Sequence, residues 1–387
     1  MTRARLQDLN KYGSGSYLAD DVTVLLDIVD KEAVADVPVS EKEALIQSGQ
    51  RHYSEMLTLE QAPTARHEQL YLQALTQGKQ RMASNIANIA YTLHNIFQSS
   101  VDDKNPLIIV SLVRAGLPIG VLLQRALADS NSSYSLPSKH YGISIIRDRG
   151  VDSAALQFIL DNHPDSPMVF VDGWTGKGAI YQQLATSLEV FNDESHPNFG
   201  NIFHQGQGVI PLLTLADPAG VAWLAASDED WLIPSGLLNS TVSGLISRSL
   251  YTEPQSGLHR AIFYDNLVDS DHSLAFIEQI DSARQQLTVS PIMLATFRQP
   301  RYRTQSIIDK LATDYNINNH NRIKPTIAEA TRAILRRDPE RILLASAAHP
   351  DTELLRHLCA DREIEINVLG AKILPYQAIT LIKQRVK

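Results

Sequence analysis

One segment of the chain carries the residue types of a phosphate cradle. Met168-Val169-Phe170-Val171 is a short apolar run of the kind that makes a strand buried on both faces. It leads straight into Asp172-Gly173-Trp174-Thr175-Gly176-Lys177-Gly178. Glycines let the backbone amides of Thr175 to Gly178 converge on an anion, and the helix expected after them adds its partial positive charge. The Thr175 hydroxyl can donate a further hydrogen bond, Lys177 supplies a full charge, and Asp172 is placed to bind sugar hydroxyls beside the phosphate. A Walker A loop is excluded, because Gly173 lies only three positions before Gly176 and Lys177 is followed by Gly178 instead of Ser or Thr. A purely structural glycine-rich turn is the alternative left open by the residues themselves.

Two other loops fit the same kind of ligand. Val113-Arg114-Ala115-Gly116 follows the apolar run Leu107–Leu112, and Arg147 and Arg149 flank Asp148 just before Gly150 at the end of the run Tyr141–Ile146. Arginine suits phosphate because its planar fork makes paired hydrogen bonds. Pro118 sits where a helix begins, and Ile180, Leu184, Leu188 and Phe191 mark one face of another. Strands alternating with helices predict a parallel, doubly wound α/β sheet. Such sheets bind ligands beyond the carboxyl ends of their strands, where all three loops would lie. His52-Tyr53-Ser54-Glu55 has acid–base residues but is expected to be an ordinary helix surface.

The flanking sequence divides the chain. Residues 1–100 are expected to be mainly helical, with a capping box at Ser40-Glu41-Lys42-Glu43 and a proline-free helix from Leu70 to Phe97. The α/β domain runs over 101–297, with a loop from Asn192 to Gln207. Residues 298–322 suggest a linker. A small α/β domain occupies 323–387: a helix from Pro325 to Arg337, a strand at Ile342–Ala345, a helix at Asp351–Cys359, a strand at Ile364–Val368, and a closing helix opened by Pro375.

Charge separates these parts. The 387 residues carry 35 Lys+Arg and 43 Asp+Glu, a net of −8. Residues 298–387 hold 16 basic and 10 acidic residues, a net of +6, which leaves the first 297 with 19 against 33, a net of −14. A basic tail on an acidic body hints at a polyanion-facing domain. Arg332, Arg336 and Arg337 lie at helical spacing with Lys324 just before them, a stripe able to track RNA phosphates. A single cysteine excludes a disulfide framework and fits a reducing compartment. Met1 to Lys11 lacks the apolar core of a secretory signal, and no run approaches the ~20 apolar residues of a membrane helix. A cytoplasmic protein without a membrane partner, assembled as a dimer, is expected.

The Val169–Gly178 segment resembles the phosphoribosyl-diphosphate signature of type I phosphoribosyltransferases. It departs from it at one place: the signature has two adjacent acids, and here the second is Gly173. Gly15-Ser16-Tyr17, His52–Met56, Val113–Pro118, His140–Gly150, Asp172–Gly178, Asp230–Ser235 and Ser243–Arg248 extend the similarity. Together they resemble the phosphoribosyltransferase-like proteins of bacterial tellurite-resistance and stress gene clusters, over about residues 13–270. The segment from Ile323 to Arg337 is similar to the Pelota/L7Ae-like RNA-binding domain often fused to them.

The resemblance implies a type I phosphoribosyltransferase-like parallel sheet and glycosyl transfer at ribose C1 of phosphoribosyl diphosphate. Thr175, Gly176, Lys177 and Gly178 would hold the 5′-phosphate, with Gly173 and Trp174 lining the loop. Asp172 would bind the ribose. Arg114, Ala115, Gly116, Arg147 and Arg149 would hold the diphosphate, bridged by Mg²⁺ that is kept mainly by the substrate, with no protein metal ligands. The acceptor would be base-like. The missing second acid and the basic tail support an alternative, a catalytically degenerate nucleotide sensor that binds RNA. Members of this family are often labelled cysteine proteases, a label that needs a thiolate paired with histidine. The lone Cys359 lies outside the phosphate-loop domain, and His357, two residues away on a helix, points to a different face.

Overall fold

The structure is a computed structural model that describes residues 13–34, 36–194, 209–251, 257–296 and 298–385. The segment Met1 to Lys11 lies outside these, as does the expected Asn192–Gln207 loop apart from its first three residues, which end a helix.

The body begins with β1 (Thr23–Leu25), β2 (Asp27–Ile28), α1 (Val39–Gln47) and the long α2 (Ala65–Phe97). It continues through β3 (Leu107–Val113), α3 (Leu117–Ala128), β4 (Ser138–Ile146), β5 (Gly150–Val151), α4 (Ser153–Asn162), β6 (Met168–Val171) and α5 (Ala179–Glu194). It closes with β7 (Leu212–Thr214), β8 (Leu224–Ala225), β9 (Arg260–Ala261) and α6 (Ser273–Gln285). The main sheet has the order β1-β4-β3-β6-β7-β8, parallel at every step, with β5 antiparallel beside β4. All four residues of β6 are buried, as their unbroken apolar run requires. One face is covered by α2, α3 and α6 through Ile86, Leu93, Leu122 and Phe276, and the other by α4 and α5 through Leu156, Ile159, Leu184 and Leu188. Among the described residues no helix is long and apolar enough to cross a membrane.

The first hundred residues are less purely helical than expected, because β1 is an edge strand of the main sheet, paired with Tyr141–Ile143 of β4. The expected capping box is also absent. Helix α1 starts at Val39 behind Pro38 without a side-chain cap, and Glu43 is wholly buried on Arg337 instead.

The C-terminal domain comprises α7 (Gln305–Asp314), β10 (Ile323–Pro325), α8 (Ile327–Arg336), β11 (Pro339–Leu344), α9 (Glu353–Asp361), β12 (Glu365–Val368) and β13 (Ala378–Ile382). Its sheet runs β10-β13-β11-β12, parallel only between β11 and β12. Two expectations need correction. The stretch 298–322 is not a linker: Ile308, Leu311 and Ala312 of α7 pack with Ile323, Tyr376 and Leu381 in this domain's own core. Among the described residues no helix follows Pro375. The buried, β-branched-rich run Ala378-Ile379-Thr380-Leu381-Ile382 forms the strand that pairs with both β10 and β11.

The other face of this small domain joins the body. Ile327, Ala330 and Ile334 of α8 belong to the same apolar cluster as α2 and Trp223. Asp230 of the body accepts hydrogen bonds from the backbone N–H of Ile327 (3.0 Å) and of Gln377 (2.8 Å), so a side chain of one domain satisfies an orphan amide at the start of a helix in the other. Burial pushes this carboxyl up to about 7 despite those amides.

Candidate active site

The carboxyl ends of β3, β4 and β6 bring the three polar loops to one edge of the sheet. The first and third touch. A Cβ on Gly116 would collide with the Val171 carbonyl oxygen, so glycine is needed where α3 approaches β6, and a Cβ on Gly173 would lie 3.3 Å from the Ala115 carbonyl oxygen. Gly178 takes φ +81°, a left-handed conformation that turns the loop into α5.

Asp172 stands half-buried at the end of β6, one oxygen accepting the Gly173 N–H at 2.8 Å. Burial raises its pKa to about 7, against the lowering effects of that amide and of Arg332. Thr175 is buried, and its hydroxyl donates to Asp217 at 2.5 Å while accepting the Ala219 N–H at 3.2 Å. The Asp217 carboxylate also accepts the N–H groups of Val221 and Ala222. The expected free hydroxyl is therefore committed to holding the loop's shape.

The loop is partly covered by the C-terminal domain, with Asp172, Trp174, Gly176 and Lys177 half-buried. Lys177 donates to the carbonyl oxygens of His320 (2.5 Å) and Ile323 (2.9 Å), and burial lowers its pKa to about 8. The Tyr376 hydroxyl donates to the Gly176 carbonyl oxygen at 2.8 Å. Arg332 lies over the Trp174 ring, 5.4 Å from its centroid. All three coverings come from the C-terminal domain.

The body's arginines have partners of their own. Arg114 follows a cis peptide bond, is buried, and donates to the Ile246 carbonyl oxygen at 2.9 Å while pairing with Glu60 at 2.7 Å. Arg147 donates from its side chain to Asn321 and from its backbone N–H to the Tyr53 hydroxyl, both at 2.7 Å. Arg149 pairs with Glu55 at 3.3 Å and lies over the Tyr251 ring. His52–Glu55 is thus not a plain helix surface. It is a short turn that props the Arg147–Arg149 loop, with His52 Nε2 at 3.7 Å from Asp148.

The residues expected to face RNA need the largest correction. Lys324 is buried beside Glu329 at 3.4 Å. Arg336 lies 3.8 Å from Glu60, and Arg337 makes a two-pronged pair with the buried Glu43 of α1. Together with Arg332 they turn inward, because the apolar stripe of α8 is buried against the body and carries the arginine edge into the seam. Sequence reasoning gave no site role to Glu60, Asp217, Asp230, Arg248 or Glu329. Asp230, Arg248 and Glu329 lie in segments that carry the resemblance, but only the fold gives them their partners.

Residues 15–281 match the family described as tellurite-like stress resistance cysteine protease StiP, and residues 302–384 match the PELOTA RNA binding domain. A curated relative, the cysteine protease StiP of Acinetobacter baylyi (strain ATCC 33305 / BD413 / ADP1), is 46% identical over 96% of this chain and 94% of its own length. The chain belongs to the StiP family. Solved structures of Trypanosoma cruzi hypoxanthine phosphoribosyltransferase are far more distant. A ternary substrate complex is 13% identical over 38% of this chain and 77% of that one, with a TM-score of 0.27. The complex with the product IMP is 9% identical over 40% and 76%, with a TM-score of 0.26. Likeness at that level assigns no chemistry to a StiP chain.

The cysteine named by that description is represented in this sequence by Cys359 alone. Cys359 is 1% exposed on α9, and burial pushes its thiol up to about 12, so it stays protonated near neutral pH. His357 faces away, accepting from Arg66 at 3.2 Å and lying 3.2 Å from Asp361.

Proposed function

We propose that this StiP chain is a phosphoribosyltransferase-type enzyme that forms the bond between ribose C1 and a base-like acceptor from phosphoribosyl diphosphate, or in reverse cleaves it with diphosphate. The observation that carries the proposal is the convergence at one sheet edge of Asp172, the Thr175–Gly178 loop and the guanidinium-bearing loops at Arg114 and Arg147. When the C1–oxygen bond breaks, its electron pair leaves with the diphosphate and the ribose becomes oxocarbenium-like. The acceptor then bonds to C1 and gives up its proton. The protein's task is to hold the sugar in place and answer the negative charge growing on the leaving group.

In this scheme the Thr175–Gly178 loop and Lys177 hold the 5′-phosphate, and Asp172 binds the ribose hydroxyls. Arg114, already tied to Glu60, contributes charge and the shape of the Ala115–Gly116 turn, while Arg147 and Arg149 complete the diphosphate side. The donor set suits Mg²⁺ carried in by the ligand: Asp172, Asp217 and Glu329 are the carboxylates beside the loop, Asp217 is committed to Thr175 and backbone amides, and cations outnumber them. Mg²⁺ on the diphosphate oxygens would supply further neutralisation of the leaving group.

The covered loop favours a second reading, a sensor that binds the same ligand without turnover and signals through its RNA-binding-type domain. Titration with phosphoribosyl diphosphate and Mg²⁺ by calorimetry, followed by an assay for free diphosphate with a mixture of bases, separates the two. Release supports the transferase, binding without release supports the sensor, and no binding refutes both.

A further inference from the structure

Several guanidinium nitrogens in the domain seam are shut off from solvent without a hydrogen-bond partner. They are Nε of Arg332 and Nε and Nη2 of Arg336 on α8, with Nη1 of Arg248 and Nε of Arg147 on the body side. A buried donor left unpaired loses the hydrogen bonds it made to water, a greater loss when the group is charged. The charges also oppose one another: Arg332 and Arg336 are each pressed by Arg114, and Arg248 by Arg114 and Arg337. Glu60 faces this cluster, with Asp172 and Glu329 beside Arg332, and Arg114 already holds Glu60 at 2.7 Å, leaving Arg336 at 3.8 Å, beyond hydrogen-bond reach. Arg332 and Arg336 are four residues apart and share a face of α8.

We propose that the C-terminal domain is a lid that supplies ligands to the site it covers: Arg332 and Arg336 bind the diphosphate end of the substrate, opposite the Arg114 loop. The anion would supply the acceptor oxygens that the unpaired nitrogens lack. Planar guanidinium forks meet phosphate oxygens two at a time. The α8 arginines would then read a small phosphorylated metabolite, and their inward position follows from that role. This proposal deepens the transferase reading and rests on it for the placement of the sugar.

The test uses the full chain and inorganic diphosphate as the probe, with thermal unfolding and calorimetry at fixed ionic strength. Wild-type protein should bind diphosphate and gain a saturable rise in Tm. Arg336→Met keeps the side chain's apolar stem and removes a repelling charge. It should leave the unliganded Tm unchanged or raised while weakening diphosphate at least tenfold. A purely structural arginine would give the reverse, a lower Tm with unchanged affinity. Arg332→Met provides the same comparison should Arg336→Met fail to fold. Wild-type protein that ignores diphosphate, variants that bind it as wild type does, or a short single-stranded RNA that shows the same Arg336-dependent stabilisation would each overturn the proposal. If diphosphate binding depends on Arg336 but phosphoribosyl diphosphate is never consumed, the lid stands and the transferase falls. If Arg336→Met consumes it at the wild-type rate, the lid falls and the transferase stands.

Discussion

Glu60 tests the electrostatics of the seam. One of its oxygens faces Arg114 at 2.7 Å and Arg336 at 3.8 Å, and the other accepts the Ser240 N–H at 2.9 Å. Burial alone would raise its pKa, but Arg114 and Arg336 hold it down to about 2, against an ordinary 4.5. At 1.36 kcal/mol per unit, that depression corresponds to about 3 kcal/mol of stability. The sign follows from proton binding: the unfolded chain takes up this proton first as pH falls, so the contribution is complete above pH 4.5 and is lost towards pH 2. Glu60→Gln keeps the volume and an acceptor for Ser240 but strips the charge, leaving Arg114, Arg332 and Arg336 unanswered. Breaking a buried pair from one side costs about 3–5 kcal/mol, in line with the first figure. At roughly 2 °C per kcal/mol for a chain of this size, Tm at pH 7 should fall by about 6 °C. Thermal unfolding at pH 7 and pH 3 reads both effects, and the gap between variant and wild type should narrow at pH 3. A variant within 1 °C of wild type at pH 7, or a gap that ignores pH, would refute the reasoning.

Three further outcomes are expected. Cys359→Ala should leave catalysis and ligand binding intact and cost about 1 kcal/mol for the small cavity, and iodoacetamide should label Cys359 only on unfolding; abolished activity would restore the protease name. Asp217→Asn should lower stability by about 1–3 kcal/mol and weaken ribose 5-phosphate binding, since Thr175 loses its charged acceptor; calorimetric titration reads the loss. Asp230, raised to about 7 in the folded chain, keeps a proton that the unfolded chain releases between about pH 4 and 7, so its contribution to stability falls as pH rises through that window. Asp172 acts with the same sign, and urea unfolding at pH 4, 5.5 and 7 should show a shallower decline for Asp230→Asn.

The sheet was legible because its strands bury both faces. Leu107–Leu112 and Met168–Val171 are unbroken apolar runs, and each ends in glycine and charge where a parallel sheet opens to ligand. The seam was not legible. Arg332, Arg336 and Arg337 have the spacing of a basic helix edge, and nothing local distinguishes an edge facing water from one facing Glu60 and Glu43. That choice is made by docking, through Ile327, Ala330 and Ile334 and through the Asp230 carboxylate nearly a hundred positions from the amide it caps. The turn at Pro375 was misread for a related reason. Proline is compatible with a helix start, whereas the strand at Ala378–Ile382 is specified by burial between two partners of its own sheet. The Ser40 box failed because Glu43 found a stronger partner in Arg337.

A transferase must consume phosphoribosyl diphosphate. Phosphorus NMR of that compound with Mg²⁺, a mixture of bases and either wild-type or Asp172→Ala protein follows it directly. The ester-linked diphosphate signals should give way to free diphosphate with wild type and persist with the variant. Persistence with wild type, or equal release with Asp172→Ala, would contradict it.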